Sequence, residues 1–253
     1  MGDLRRENEV HIQPFVFSES KWDSEHFGVR SAKIILNDSI SDEDREKIKQ
    51  GFKAFDFITI TNVDNRADNN VWIGKETGAF QTDINVQFKK SLSRTPARET
   101  LPTEVFEACP RNERILDIAN KSFKYSRFLN DPWLPPKEAK GLYARWVEDA
   151  FGKPGRFFVI AKRHGVLMGF LLFSMDMSAS SARIELIATD KVHRGESVGR
   201  SLITTMEIVL RQRGIATVHV GTQLDNLSAF GFYTSCGFKF FTCNSVYHYW
   251  PFK

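Results

Sequence analysis

The run ARIELIATDKVHRGESVG, residues 182–199, limits what this chain can fold into more than any other part of it. Ile184, Leu186 and Ile187 form an apolar run of strand type, and Arg194, Gly195, Glu196, Ser197, Val198 and Gly199 form a tight turn. Leu202, Ile203, Met206 and Val209 then follow at helical spacing. A strand, a turn and a helix start in that order predict an α/β layer with an anion cradle. The first helical N–H groups lack intrahelical partners and carry the positive end of the helix dipole, so a diphosphate is stabilised there without any lysine.

With 253 residues, 42% hydrophobic and 13% aromatic, the chain can build one large or two modest domains with a real core. Lys and Arg exceed Asp and Glu by only 35 to 31. That surplus is too small and too dispersed for a nucleic-acid surface, though it suits a polyanionic small ligand. Cys109, Cys236 and Cys243 are widely spaced with no CxxC, so neither a disulfide framework nor a bound metal is expected. No apolar run approaches the ~20 residues of a membrane span. The opening MGDLRRENEV has no apolar signal core, and Arg6 stands where a myristoylation signal wants Ser or Thr. No membrane insertion and a cytoplasmic location are the expectations.

The N-terminal part, 1–95, reads as a small α/β domain of order β-α-β-α-β. Strands are expected at 31–36, 55–61 and 83–88, a helix at 42–54 opened by Ser41 with Asp44 three residues on, and a short helix after the polar turn 64–70. Ahead of these, Trp22, Asp23, His26 and Phe27 crowd the segment KWDSEHFG. They mark either a binding site or a small core with Asp23 as a helix N-cap. The stretch 96–110 is expected as a linker, within a Pro- and hydroxyl-rich connection at 91–103. In 111–253 the expected order is helix 111–122, helix 137–151, hairpin strands 156–162 and 166–175, strand 182–189, helix 198–213, strand 217–223, helix 226–235, and one or two strands in 238–250. The loop 125–133 between the first two helices is dense in aromatic and polar groups. Its Arg127 and Asp131 are candidates for ligand contact or for pairing with each other.

From residue 111 on, that order and two motifs resemble the GNAT N-acetyltransferases. The family's pyrophosphate loop is Gln or Arg, two residues, Gly, one residue, Gly or Ala; here Arg194, Ser197 and Gly199 take those places. Serine replaces the first glycine, and a negative φ at Ser197 is expected to keep the loop intact. Downstream, Asn226, Ala229, Tyr233, Gly237 and Phe238 match the family's N-x-x-A-x-x-x-Y-x-x-x-G-F spacing. More narrowly, WDSEHFG, SRFLNDPWLPP, LYARW and VGTQLDNLSAFGFYTSCGF resemble the dTDP-fucosamine acetyltransferases and related nucleotide amino-sugar N-acyltransferases across nearly the whole chain. The resemblance implies an α/β (α+β) fold: a C-terminal GNAT domain with a mixed central sheet flanked by helices, beside a smaller N-terminal α/β domain that helps form the acceptor site.

It also implies an acetyl-CoA-dependent N-acetyltransferase acting in cell-surface glycan synthesis, such as that of lipopolysaccharide. The acyl donor would be held by Ile187, Ala188, Thr189, Arg194, Gly195, Glu196, Ser197, Val198, Gly199, Arg200 and Asn226. Backbone N–H groups freed where adjacent strands diverge beyond Ala188 and Thr189 would polarise the thioester. Tyr233 would be the general acid for the leaving thiolate, with Asn226 two turns earlier on the same helix face. The base stays open: Glu185 through a water, or release of the proton to a water chain, with His193, His219 and His248 read as non-catalytic. Cys236 is a poor nucleophile candidate, and direct attack in a ternary complex is expected. Acceptor contacts are expected from Trp22, Asp23, His26, Phe27, Arg127, Asp131 and Gln223.

Other acceptors fit the same donor site: a protein α-amine, a polyamine or an aminoglycoside. A non-catalytic acetyl-CoA-binding scaffold is the reading from a different class. No nucleic-acid partner is expected. A homodimer built on the aromatic strand around Tyr247, Tyr249 and Trp250 is one expectation for assembly.

Overall fold

The computed structural model describes residues 13–92 and 101–253. The opening MGDLRRENEV and most of the expected connection, 93–100, lie outside the described residues. The chain forms two compact units, one from the residues up to Thr82 with Asn244–Lys253, the other from Asp83–Cys243.

The first unit contains β1 (Phe15–Glu19), α1 (Lys21–Phe27), β2 (Ser31–Leu36), α2 (Asp42–Phe52), β3 (Phe57–Asn62) and α3 (Ala67–Glu76). Strand β2 pairs antiparallel with β1 and parallel with β3, and the crossover between the parallel strands is α2. Ile34, Leu36, Ile48, Ile58, Ile60 and Trp72 fill its core. Ser41 caps α2, its side chain accepting from Asp44 N at 3.2 Å. The expected β-α-β-α-β order lacked β1 and α1. Strand β1 is short and half-exposed, and its register is set only by pairing with β2.

The second unit contains most of β4 (Phe80–Ser91), β5 (Thr103–Glu107), α4 (Glu113–Ser122), α5 (Pro136–Ala150), β6 (Phe157–Arg163), β7 (Val166–Asp176), β8 (Ser181–Thr189), α6 (Val198–Gln212), β9 (Thr217–Gln223), α7 (Leu227–Ser235) and the first part of β10 (Lys239–Tyr249). Its strands run in the order β4-β9-β8-β7-β6-β5, with β8 and β9 the parallel pair. The sheet is therefore mixed, and helices cover both faces. On one face Leu202 and Met206 of α6 pack with Val159, Leu171 and Val220. On the other, Ile115 and Ile118 of α4 and Val147 of α5 pack with Phe158 and Phe170. Burial on both faces is why β6 and β7 read as unbroken apolar runs rather than as alternating strands.

The units do not follow the expected division into 1–95, 96–110 and 111–253. Thr103–Glu107, inside the expected linker, pairs with β6 as β5. At the other end, Ser245–Tyr249 of β10 pairs antiparallel with β3 and so joins the first unit. Both differences arise from non-local strand pairing, which composition and local periodicity do not record.

Candidate active site

The site is built where β8 leaves β9. The two strands are paired from Ser181 with Thr217 to Ile184 with Val220, and the pairing ends there. Strand β8 runs on to Thr189 held by β7 alone on its other edge, while Gly221, Thr222 and Gln223 of β9 pair with β4. The opening thus starts earlier than the sequence suggests, after Ile184 rather than beyond Ala188 and Thr189. A register shift between Leu172 and Phe173 of β7 leaves Glu185 as the extra residue of a β-bulge at the point of separation. Backbone polar groups alternate along the strand: those of Ile187 and Thr189 lie on the open edge, available to a ligand between the strands, whereas those of Ala188 face Phe170 of β7.

A close approach closes one end of this opening. A Cβ on Gly169, the partner of Thr189, would sit 2.7 Å from Ala188 O, 3.0 Å from Val198 Cγ1 and 3.2 Å from Thr189 Cα. Only glycine lets the end of β8 and the start of α6 lie this close to β7. The first turn of α6 also packs on α7: a Cβ on Gly199 would meet the Phe232 ring at 3.0 Å, and Arg200 donates to Ser235 O at 3.1 Å.

The phosphate turn reaches α6 through Ser197, the helix N-cap, at φ 61 and ψ 12. In place of the negative φ expected for this serine, the turn imposes the left-handed region, where a glycine is unstrained and an L side chain costs about 1–2 kcal/mol. Ser201 N bonds to Ser197 O at 3.0 Å, which starts the helix with the N–H groups before it directed outward at its positive end. Glu196 turns away from that cradle, pairing with Arg163 at 2.6 Å and His193 at 3.3 Å. The Ser197→Val variant, with a β-branched residue in the left-handed region, is expected to unfold several degrees lower and bind acetyl-CoA at least tenfold more weakly. Ser197→Gly is expected to keep both properties. Thermal melts and calorimetric titration of the two variants check this.

Helix α7 follows β9 and carries Asn226 at its start and Tyr233 within it. Asn226 is its N-cap, the side chain accepting from Ala229 N at 3.2 Å, an arrangement worth about 1 kcal/mol. It therefore precedes the helix rather than sharing a helical face with Tyr233, and its amide N–H₂ remains the donor available to a ligand. Tyr233 is 5% exposed, its ring among Phe88, Phe232 and Phe238. Burial, with Cys236 nearby, holds its hydroxyl well above the usual tyrosine range, so it keeps its proton at neutral pH. Cys236 ends α7 buried, and burial pushes its thiol up as well, which disfavours the thiolate a nucleophile needs.

Glu185 is committed elsewhere. Its carboxylate is ion-paired with Arg156 and accepts from Trp146 Nε1 at 3.3 Å, with 6% of the side chain exposed. A second polar cluster gathers instead at the C-terminal end of β9. Gln223 pairs with Asn85 of β4, and Leu224 N bonds to Ile84 O at 2.9 Å, which sets Asp83 beside the exit of β9. Tyr143 of α5 donates to Tyr125 O at 3.1 Å and is within hydrogen-bonding reach of Ser126 and Gln223. Burial raises the Asp83 carboxyl to about 6, with Asp225 adding to the rise and Arg127 opposing it. Arg127 also stacks over Phe128 at 4.1 Å, and Asp131 accepts from Trp133 N at 2.8 Å, fixing the loop that carries them. Asp83 and Tyr143 were not singled out in the sequence. The first opens a strand by alternation, and the second sits on the apolar face of a helix.

In the first unit, Ser20 rather than Asp23 is the N-cap of α1, and Ser20 Oγ donates to Asp23 Oδ2 at 2.7 Å. Trp22 stacks on His26 at 5.0 Å, and Phe27 packs edge-on against Phe57. Asp23 and Phe27 are thus used by the unit's own fold. His248 is buried against Phe57 and His219 lies 6.1 Å from Phe241, both as side chains of strands. Among the described residues no helix is long and apolar enough to cross a membrane.

A parallel strand pair that opens beside a glycine-containing turn and a helix start is an arrangement suited to an acyl-CoA. Residues 113–238 match the model of the Acetyltransferase (GNAT) family, and the chain carries a GNAT acetyltransferase domain. It is 28% identical over 250 residues to the spore coat polysaccharide biosynthesis protein SpsD of Bacillus subtilis, covering 94% of this chain and 84% of that one. It is 30% identical over 124 residues to the dTDP-fucosamine acetyltransferase of Escherichia coli, 47% of this chain and 51% of the relative. Among solved structures, a GCN5-related N-acetyltransferase from Sphaerobacter thermophilus shares the fold at a TM-score of 0.60 and 12% identity, covering 93% of this chain and 76% of that one. A tandem GNAT protein from the clavulanic acid biosynthesis pathway does so at 0.58 and 16%, covering 86% and 74%.

Proposed function

We propose that the protein moves the acetyl group of acetyl-CoA to the amine of a nucleotide-linked amino sugar, such as a dTDP-4-amino-4,6-dideoxyhexose, in cytoplasmic steps of cell-surface glycan synthesis. The observation that carries the donor half is the loss of β8–β9 pairing after Ile184 beside the N-terminus of α6. The residues fit an acyl-CoA: outward N–H groups of the turn from Arg194 to Arg200 for the diphosphate, and open backbone edges at Ile187 and Thr189, on either side of Ala188, for the pantetheine arm and thioester. The likeness to a polysaccharide-biosynthesis protein along 94% of the chain supports the acceptor half.

In this reading the amine attacks the thioester carbonyl directly, open-edge N–H groups of β8 stabilise the oxygen as it gains charge, and the carbon–sulfur bond breaks. Tyr233 donates its proton to the departing sulfur, and Asn226 holds the pantetheine amide. Gln223, Arg127 and Asp131 are the acceptor-side groups assigned from the second unit.

A thiol-release assay with acetyl-CoA against dTDP- and UDP-amino sugars, a peptide, a polyamine and an aminoglycoside tests the acceptor class. Turnover with at least one nucleotide amino sugar, at a kcat/KM at least tenfold above the other amines, is the expected result. Activity confined to the peptide, polyamine or aminoglycoside would overturn the sugar assignment and leave the donor site standing.

A further inference from the structure

An ammonium cannot attack a thioester, so the acceptor must lose a proton before acetyl transfer, and the residue first suspected of taking it is unavailable. Accepting a proton at Glu185 would break its ion pair with Arg156. Asp83 makes no ion pair among the described residues, and it stands where β4 passes the exit of β9, beyond the last paired residues of the opening. It shares that position with Arg127 of the α4–α5 loop, Tyr143 of α5, Gln223 at the end of β9 and Asp225 in the turn that leads into α7.

We propose that Asp83 is the proton acceptor for the incoming amine, with Tyr143 and Gln223 orienting the acceptor beside it. This rests on the acetyltransferase reading above and assigns the step that reading leaves open. The amine N–H bond gives its proton to a carboxylate oxygen of Asp83, and the nitrogen lone pair so freed forms the N–C bond. The carbon–sulfur bond breaks as the sulfur takes the proton of Tyr233, the second proton left on the nitrogen after attack restores the tyrosine through solvent, and Asp83 gives its own proton to solvent, so one proton is released per turnover. A carboxyl titrating near 6 is ionised at neutral pH and is a stronger base than an exposed aspartate. The charge of Arg127 keeps it from rising further, and Asp225 works against that effect. Glu185, close to the opening but locked by Arg156, then serves to fix the bulge in β8.

The test is the pH profile of kcat between pH 5 and 9 with acetyl-CoA and dTDP-4-amino-4,6-dideoxygalactose, for the wild type, Asp83→Asn and Asp83→Glu. The wild type is expected to lose activity below a midpoint near 6. Asp83→Asn is expected to lose about 10²–10³-fold in kcat at pH 7, recover tenfold per pH unit towards alkaline pH, and keep the wild-type affinity for acetyl-CoA. Asp83→Glu restores part of the rate together with the acid limb. An Asn variant with wild-type kcat, or with the acid limb intact, overturns the proposal. If the wild type turns over no amino sugar, the acceptor reading fails on its own, and carboxyl ¹³C titration of the acetyl-CoA complex decides the role of Asp83. A resonance missing from Asp83→Asn that titrates near 6 supports it, and one in the ordinary aspartate range overturns it.

Discussion

The Tyr233→Phe variant is expected to lose about 10²–10⁴-fold in kcat while binding acetyl-CoA nearly as well as the wild type. The substitution keeps the ring that packs against Phe88, Phe232 and Phe238, so the fold of α7 and its contact with the phosphate turn are preserved. What it removes is one proton, held by a hydroxyl that burial keeps protonated. An interaction needed only as the sulfur departs appears in kcat and not in donor affinity. Steady-state kinetics with a saturating acceptor, beside calorimetric titration of acetyl-CoA, separate the two. Unchanged turnover would remove the general-acid role and leave Tyr233 as a core tyrosine.

The Gly169→Ala variant is expected to be the most damaging single methyl in the second unit. The added carbon meets Ala188 O at 2.7 Å and Thr189 Cα at 3.2 Å, and backbone atoms of a central strand cannot swing aside as a side chain can. Relief requires moving the end of β8 away from β7, at about 1–3 kcal/mol, equivalent to several degrees in melting temperature for a unit of this size. The displaced residues are those whose open edge is assigned to the thioester, so KM for acetyl-CoA is expected to rise at least tenfold. A melting temperature and KM both equal to wild type would show that β8 is free to shift and that its edge is not the positioning element.

Much of the second unit is legible in the sequence because its elements are bounded by local chemistry. Strand 217–223 stands as read, between Gly214 after α6 and the Asn226 cap, and helix α6 differs only in its last residue. In the first unit, strand 31–36 is likewise found at its expected bounds. What escaped depends on partners distant in sequence. Strand β5 is defined by β6, the end of β10 by β3, and the point where β8 opens by where β9 stops following it. At Ser197 the residue type reports which φ is comfortable, whereas the turn between β8 and α6 fixes the φ that is required. Asp83 is not legible in the sequence because its basicity comes from burial, with Asp225 adding to it and Arg127 opposing it, none of which its neighbours along the strand reveal.

Calorimetric titration of acetyl-CoA into the wild-type protein tests the central claim most directly, because the opening of β8 from β9, the Ser197 turn and the α7 cap are assigned to one ligand. One site per chain, with a Kd within about 1 μM to 1 mM, weakened at least tenfold in Gly169→Ala and unchanged in Tyr233→Phe, is the predicted result. Absence of binding, or binding indifferent to Gly169→Ala, would contradict the placement of the acyl donor in the opened strand pair.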